Sequence, residues 1–215
     1  MSLTMFYDLL VASGETLYMV IASTVFAVLL GLPLGTLLFT SAKIKPHPGL
    51  HRFIAAIINM SRSIPFIILL VALIPITRFI VGTSIGLHAA MVPLTLGATP
   101  FFARLVDNIY QSLPNGLIET GFSMGANTWQ MIRHLLFPEA FPALIHAVTI
   151  TAITLVNYSA MAGTVGGGGL GDLAIRYGYQ RFNVSVMLAT VFILVLIVQL
   201  LQMGGDRLAR RFSHN

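Results

Sequence analysis

The residues of this chain that could do chemistry fall into a few groups. Gly166-Gly-Gly-Gly-Leu-Gly171 satisfies the G-x-G-x-x-G spacing in which glycine backbone amides cradle a dinucleotide pyrophosphate. Context rejects that reading. The run lies between two apolar stretches rather than in a strand–helix unit, and the acidic residue due about twenty positions on is replaced by the apolar Val191–Val198. A Gly-Lys phosphate loop fails as well, because the only lysines, Lys43 and Lys45, follow no suitable glycine run. His47 and His51 are close but share their segment with lysines and prolines, cysteine is absent, and Ser159 has no nearby His or Asp to activate it. No metal site, no bound cofactor and no catalytic residue is expected on this chain. What remains is polar chemistry inside apolar surroundings, at Arg62 and at Asn157, Tyr158, Ser159 and Met161, and a polar segment around Glu119 that could meet a partner.

The elements that must position these residues are read from hydropathy. Of 215 residues 56% are hydrophobic and only 9% charged, against about 25% charged in a soluble domain. Too few charges exist to cover a water-facing surface, so lipid must face much of the chain. Five apolar runs approach or exceed the roughly 20 residues that span a bilayer as helix: Thr16–Thr40, Phe53–Ile76, Leu87–Ile109, Phe141–Met161 and Val184–Met203. They lack the alternation of barrel strands, so an all-α integral membrane protein with five transmembrane helices is expected. The first fifteen residues hold Asp8 and Glu15 and no Lys or Arg, so no basic signal-peptide start is expected. No linker or repeat divides residues 1–215, which read as one membrane domain.

The net charge of +5 comes from basic residues grouped at the edges of the apolar runs. That placement marks topology rather than a nucleic-acid surface. With five spans, eight basic residues (Lys43, Lys45, Arg52, Arg104, Arg133, Arg207, Arg210, Arg211) fall on one side and three (Arg78, Arg176, Arg181) on the other. The N-terminus is therefore expected outside and the C-terminus in the cytoplasm. Arg62 falls about ten residues into the second span, roughly 15 Å deep in a straight helix. A charge there either faces the bundle interior with a partner, such as carbonyls freed near Pro65, or snorkels to the interface.

The two long connections are a cytoplasmic segment, about 110–142, and an external glycine-rich loop, about 162–183. In the first, Ile118, Phe122, Ala126, Trp129, Ile132 and Leu136 recur at helical spacing. Gly125 suits a left-handed helix end, Asn127 with Gln130 suits a capping box, and Pro138 is expected to stop the second helix. A helix–turn–helix outside the membrane follows. In the second, the glycines form either a flexible external turn or a close-packed gate where backbones approach. The cluster Asn157, Tyr158, Ser159 and Met161 either lines a path or bonds between helices. Gly31-x-x-x-Gly35 matches a small-residue helix-packing motif of the kind that chance often supplies.

The cytoplasmic segment resembles the signature loop of ABC importer permeases, which begins Glu-Ala-Ala, has Gly at the seventh position and ends in apolar-x-Leu-Pro. The matching residues are Glu119, Gly125, Leu135, Phe137 and Pro138; Thr120 and Gly121 replace the alanines and Phe137 the leucine. The runs Arg62–Leu70, Ile80–Leu87, Val92–Ala98 and Tyr158–Gly171 are similar to the methionine importer permeases, and the likeness covers essentially the whole chain. This resemblance implies a type I ABC importer permease fold in the bacterial inner membrane, with a coupling helix between the third and fourth spans. Glu119, Gly121, Phe122, Met124, Gly125, Ala126 and Pro138 would form the coupling segment. Arg62, Asn157, Tyr158, Ser159, Met161, Gly166 and Gly168 would line the path or its gate. Implied partners are a second copy of the chain, two ATP-binding cassette subunits that hold ATP and Mg, and an extracytoplasmic methionine-binding lipoprotein. An ABC permease for another small metabolite is the nearest alternative. An ion-driven secondary transporter fits less well, because Asp107, Glu119, Glu139 and Asp206 are expected at span edges or in the cytoplasmic segment rather than within spans.

Overall fold

The computed structural model describes residues 3–212, and every regular element among them is helical. In chain order these are α1 (Leu3–Lys43), α2 (Pro48–Ser63), α3 (Phe66–Ala72), α4 (Ile74–Val81), α5 (Leu87–Ser112), α6 (Asn115–Ser123), α7 (Thr128–Gln130), α8 (Phe137–Gly163), α9 (Gly169–Leu173) and α10 (Val184–Phe212). Two π-helical segments, Met131–Leu136 and Ala174–Tyr179, join α7 to α8 and extend α9.

Four helical stretches are long and apolar enough to cross a bilayer: α1, α5, α10, and the continuous stretch Thr128–Gly163 that contains α7 and α8. The second expected span is the exception. Phe53–Ile76 is not one straight helix; α2 and α3 together supply a span only as a pair bent by 103°. The cause is local. Proline crowds the residue before it out of the helical region, and Ile64 accordingly takes φ −85°, ψ 125° ahead of Pro65. A second break at Leu73 starts α4, which Gly82 ends in left-handed conformation at φ +83°. The first span is longer than expected by hydropathy. At 41 residues α1 runs about 60 Å, so its first turns carry Asp8 and Glu15 past the apolar run.

Close helix crossings explain several glycines. A Cβ on Gly31 would lie 2.9 Å from the Thr99 carbonyl oxygen, and one on Gly35 would strike the Ala103 carbonyl. The Gly31/Gly35 pair therefore seats α1 on α5 within the chain, as small-residue motifs do where backbones touch. Gly205 of α10 instead makes room for the Thr149 side chain of α8. The core divides along the bundle. Met19, Leu94, Leu155 and Leu170 belong to one cluster, and Phe39, Phe102, Tyr110 and Met131 to another beside α6 and α7. Exposed Ile21, Phe26 and Leu29 on α1 and Leu188, Phe192 and Leu196 on α10 face outward, as lipid-facing helix surfaces must.

Candidate coupling surface and translocation face

The coupling segment is built from short-range signals. α6 ends in a Schellman motif: Gly125 has φ +69°, its N–H donates to the Phe122 carbonyl, and the Ala126 N–H donates to Gly121, each at 3.0 Å. Asn127 then caps α7. Its side chain accepts from the Gln130 N–H at 2.9 Å, and its own N–H donates to the Gln130 side chain at 2.9 Å. Pro138 does not stop the second helix as expected. The π segment Met131–Leu136 carries the chain past it, and the Phe137 N–H reaches back to Ile132. α7 is thus continuous with the fourth span, with no intervening loop between Thr128 and Gly163. Gly121 is buried, and a Cβ there would come 2.7 Å from a Leu135 methyl and 3.1 Å from the Met131 methyl. Glycine in place of the alanine lets α6 settle on the π segment.

The expected apolar stripe does not stay on one buried face. Leu136 and Met131 are buried, whereas Phe122, Met124 and Trp129 are 51%, 78% and 65% exposed. Glu119 and Pro138 are exposed too, and Ala126 is half-buried. Outside the spans, Phe122 and Met124 beside the Glu119 carboxylate form a surface that suits a protein partner.

The glycine run is not a flexible turn. Gly166 (φ +83°) accepts the Gly86 N–H at 2.9 Å. Gly168 has φ +78°, ψ −166°, a region open essentially to glycine alone. The Gly169 N–H donates to the Glu15 carboxylate at 2.8 Å, and the Leu170 N–H to the Thr16 hydroxyl at 2.9 Å. A Cβ on Gly163 would strike the Asp172 amide, and one on Gly171 would lie 2.5 Å from the Ala160 backbone. The run therefore locks α9 against α8, α5 and the start of α1. Below it, Asp172 pairs with Arg176, a hydrogen bond that raises the guanidinium above its ordinary value.

The remaining path residues do not converge on one point. Asn157 and Met161, four apart, share an exposed face of α8, whereas Ser159 is buried and donates to its own helix at Val156 O, 2.8 Å. Ser159 packs inside the protomer rather than on an open face. Tyr158 stacks on Phe66, ring centres 4.2 Å apart and planes 3° from parallel. Both rings line a cavity of 140 Å³ whose rim holds Ser61 and Arg62. Arg62 is not deep in a straight helix. It sits in the exposed last turn of α2, beside the Pro65 break, and has no hydrogen bond to a carbonyl there among the described residues. The bend converts a costly intramembrane charge into one that faces a cavity.

Residues 27–214 match the model of the binding-protein-dependent transport system inner membrane component family. The chain belongs to that family. It is 51% identical to the probable D-methionine transport system permease protein MetI of Vibrio cholerae over 96% of this chain and 92% of that protein. To the D-methionine transport system permease protein MetI of Escherichia coli K12 it is 53% identical, over 76% of each. A chain from the inward-facing conformations of the MetNI methionine ABC transporter superposes with TM-score 0.98, 50% identical, covering all of both chains. The fold extends to a chain of an amino acid ABC transporter solved with histidines, TM-score 0.74 at 19% identity over 96% and 93%. As a family member the chain is a multi-pass inner membrane component with the type I ABC importer fold.

Sequence reasoning missed Glu15 and Thr16, which this family member uses to hold the glycine run. The signal present was an acidic residue at the start of an apolar run; its partner lies 154 residues away. Asp107, expected at a span edge, lies in the last turns of α5. Asp107 is 1% exposed in α5, bonded to Arg104 at 3.0 Å and Gln111 at 2.8 Å. Among the described residues no group of three acidic, histidine or cysteine side chains could hold a metal ion.

Proposed function

We propose that this chain is the membrane-spanning permease of an ATP-driven importer that moves methionine, D- and L-, into the cytoplasm by alternating access. The observation that carries the reading is whole-chain superposition at TM-score 0.98 and 50% identity on a chain of the MetNI methionine ABC transporter. The coupling surface adds a physical reason. Glu119 and Phe122 on α6 and Met124 at its capped end stand exposed, where a separate ATPase subunit holding ATP and Mg would seat them. A two-site ATPase dimer needs two such loops, which two copies of the chain about a two-fold axis supply. ATP-driven closure draws the coupling helices together, and the unbroken path from α7 into α8 transmits the motion to Asn157, Tyr158 and Met161.

In this reading Gly166 and Gly168 form the outer gate, and a methionine-binding lipoprotein delivers substrate there. Arg62 and Tyr158 border the path, Ser159 supports it from within, and the basic side of the chain, with the C-terminus, is cytoplasmic. The test is uptake of labelled methionine by proteoliposomes containing the permease, its ATPase and its binding protein. Accumulation that requires internal ATP is expected. Uptake driven by an ion gradient without ATP contradicts the ABC reading, and ATP-dependent uptake of another metabolite in preference contradicts the substrate alone.

A further inference from the structure

A cavity of 670 Å³ belongs neither to the path nor to the glycine run. It is a groove between the last turns of α1 and the coupling helix, walled by Leu32, Leu37, Ile132 and Phe137. Its volume falls within the roughly 300–1,000 Å³ of small-molecule sites. Two of the wall hydroxyls are already satisfied: Thr36 donates to Leu32 O at 2.8 Å and Thr40 to Leu37 O at 3.2 Å. One charged group lines it, Arg133, which is exposed and has no ion-pair partner among the described residues. Lys43, also exposed, ends α1 one turn beyond Thr40. Trp129 lies on the rim, a residue type that favours the level of lipid headgroups.

The geometry points to a resident anionic phospholipid in this groove, with its acyl chain along Leu32–Leu37 and its phosphate on Arg133. One wall lies within the apolar run of α1 and the other in the start of the stretch Thr128–Gly163 that runs on into the fourth span, which sets the groove at the cytoplasmic edge of the bilayer rather than on the turn that carries Met124. An apolar trough with positive charge at one end matches the charge and shape of a phospholipid whose headgroup is negative. A lipid there would brace α1 against the coupling helix at the point where α7 passes its motion to α8.

Trp129 is the only tryptophan of the chain, which makes it the reporter. The permease–ATPase complex is placed in nanodiscs containing phosphatidylglycerol or phosphatidylcholine with identical brominated acyl chains. The matching Trp129→Phe complex is subtracted as blank. Quenching of Trp129 is expected with an apparent affinity about fivefold higher for phosphatidylglycerol, the preference one basic residue confers near a lipid surface. Arg133→Gln, at an exposed position, should abolish that preference while leaving quenching itself. Thr36→Phe, which fills the groove, should lower quenching by both lipids. Equal quenching by the two headgroups in the unsubstituted complex would show ordinary boundary lipid and overturn the proposal. Quenching of the permease alone that vanishes in the complex would give the groove to the ATPase, and would overturn it too. The readout needs no transport, so its outcome is independent of the substrate.

Discussion

The coupling segment and the glycine run are both compact turns between helices, but different forces hold them. In the coupling segment every defining bond spans five residues or fewer: the Schellman pair at Gly125 and the Asn127–Gln130 box. Its outer face stays unpartnered. In the glycine run the deciding bonds reach 154 residues, to Glu15 and Thr16 of α1, and contact is backbone to backbone. The turn with an open outer face is shaped by its own sequence. The close-packed turn is shaped by the rest of the fold.

This contrast is broken most severely at Gly171. A Cβ there meets the Ala160 backbone at 2.5 Å, and backbone cannot yield as a side chain can. Gly171→Leu is expected to cost more than the roughly 1–3 kcal/mol of ordinary overpacking, and to abolish monodisperse protein in size-exclusion chromatography. Glu15→Ala comes next. It strands the Gly169 N–H, costing about 1–3 kcal/mol, read as a lowered midpoint of thermal unfolding in detergent. Gly168→Leu inserts normally but impairs uptake, because a side chain at φ +78°, ψ −166° is strained by about 1–3 kcal/mol and presses on the Glu15 carboxylate. Wild-type uptake by this variant removes Gly168 from the gate. Asn127→Ala is milder, about 1 kcal/mol for a lost N-cap. Its effect stays local, seen as faster amide exchange in residues 127–131 with little change elsewhere.

The same contrast governs what was legible in the sequence. The Gly125 and Asn127–Gln130 signals were readable because each is complete within a few residues. Pro138 misled because proline was read as a stop, whereas a π segment and the packing of Met131 and Leu136 carry the helix through. Pro65 was visible, but hydropathy averages over a window and does not record the 103° turn between α2 and α3. That turn moved Arg62 from a buried depth to a cavity rim. The stripe from Ile118 to Leu136 was read as one face. The left-handed turn at Gly125 separates α6 from α7, so their apolar positions do not share a face, leaving Phe122 and Trp129 outside and Leu136 inside. Neither the seat of Gly31 and Gly35 on α5 nor the reach of Glu15 to Gly169 could be read without the fold, since each depends on which helices cross.

The central claim is that the exposed face of α6 couples this chain to a separate ATPase. Co-purification of a tagged chain from gently solubilised membranes tests it directly, with Glu119→Lys alongside. Glu119 is exposed, so the substitution should shift stability by no more than about 0.5 kcal/mol. The account predicts an equimolar ATPase with the unsubstituted chain, lost or sharply reduced in the folded variant. An ATPase retained in full by Glu119→Lys, or absent from both preparations, would contradict it.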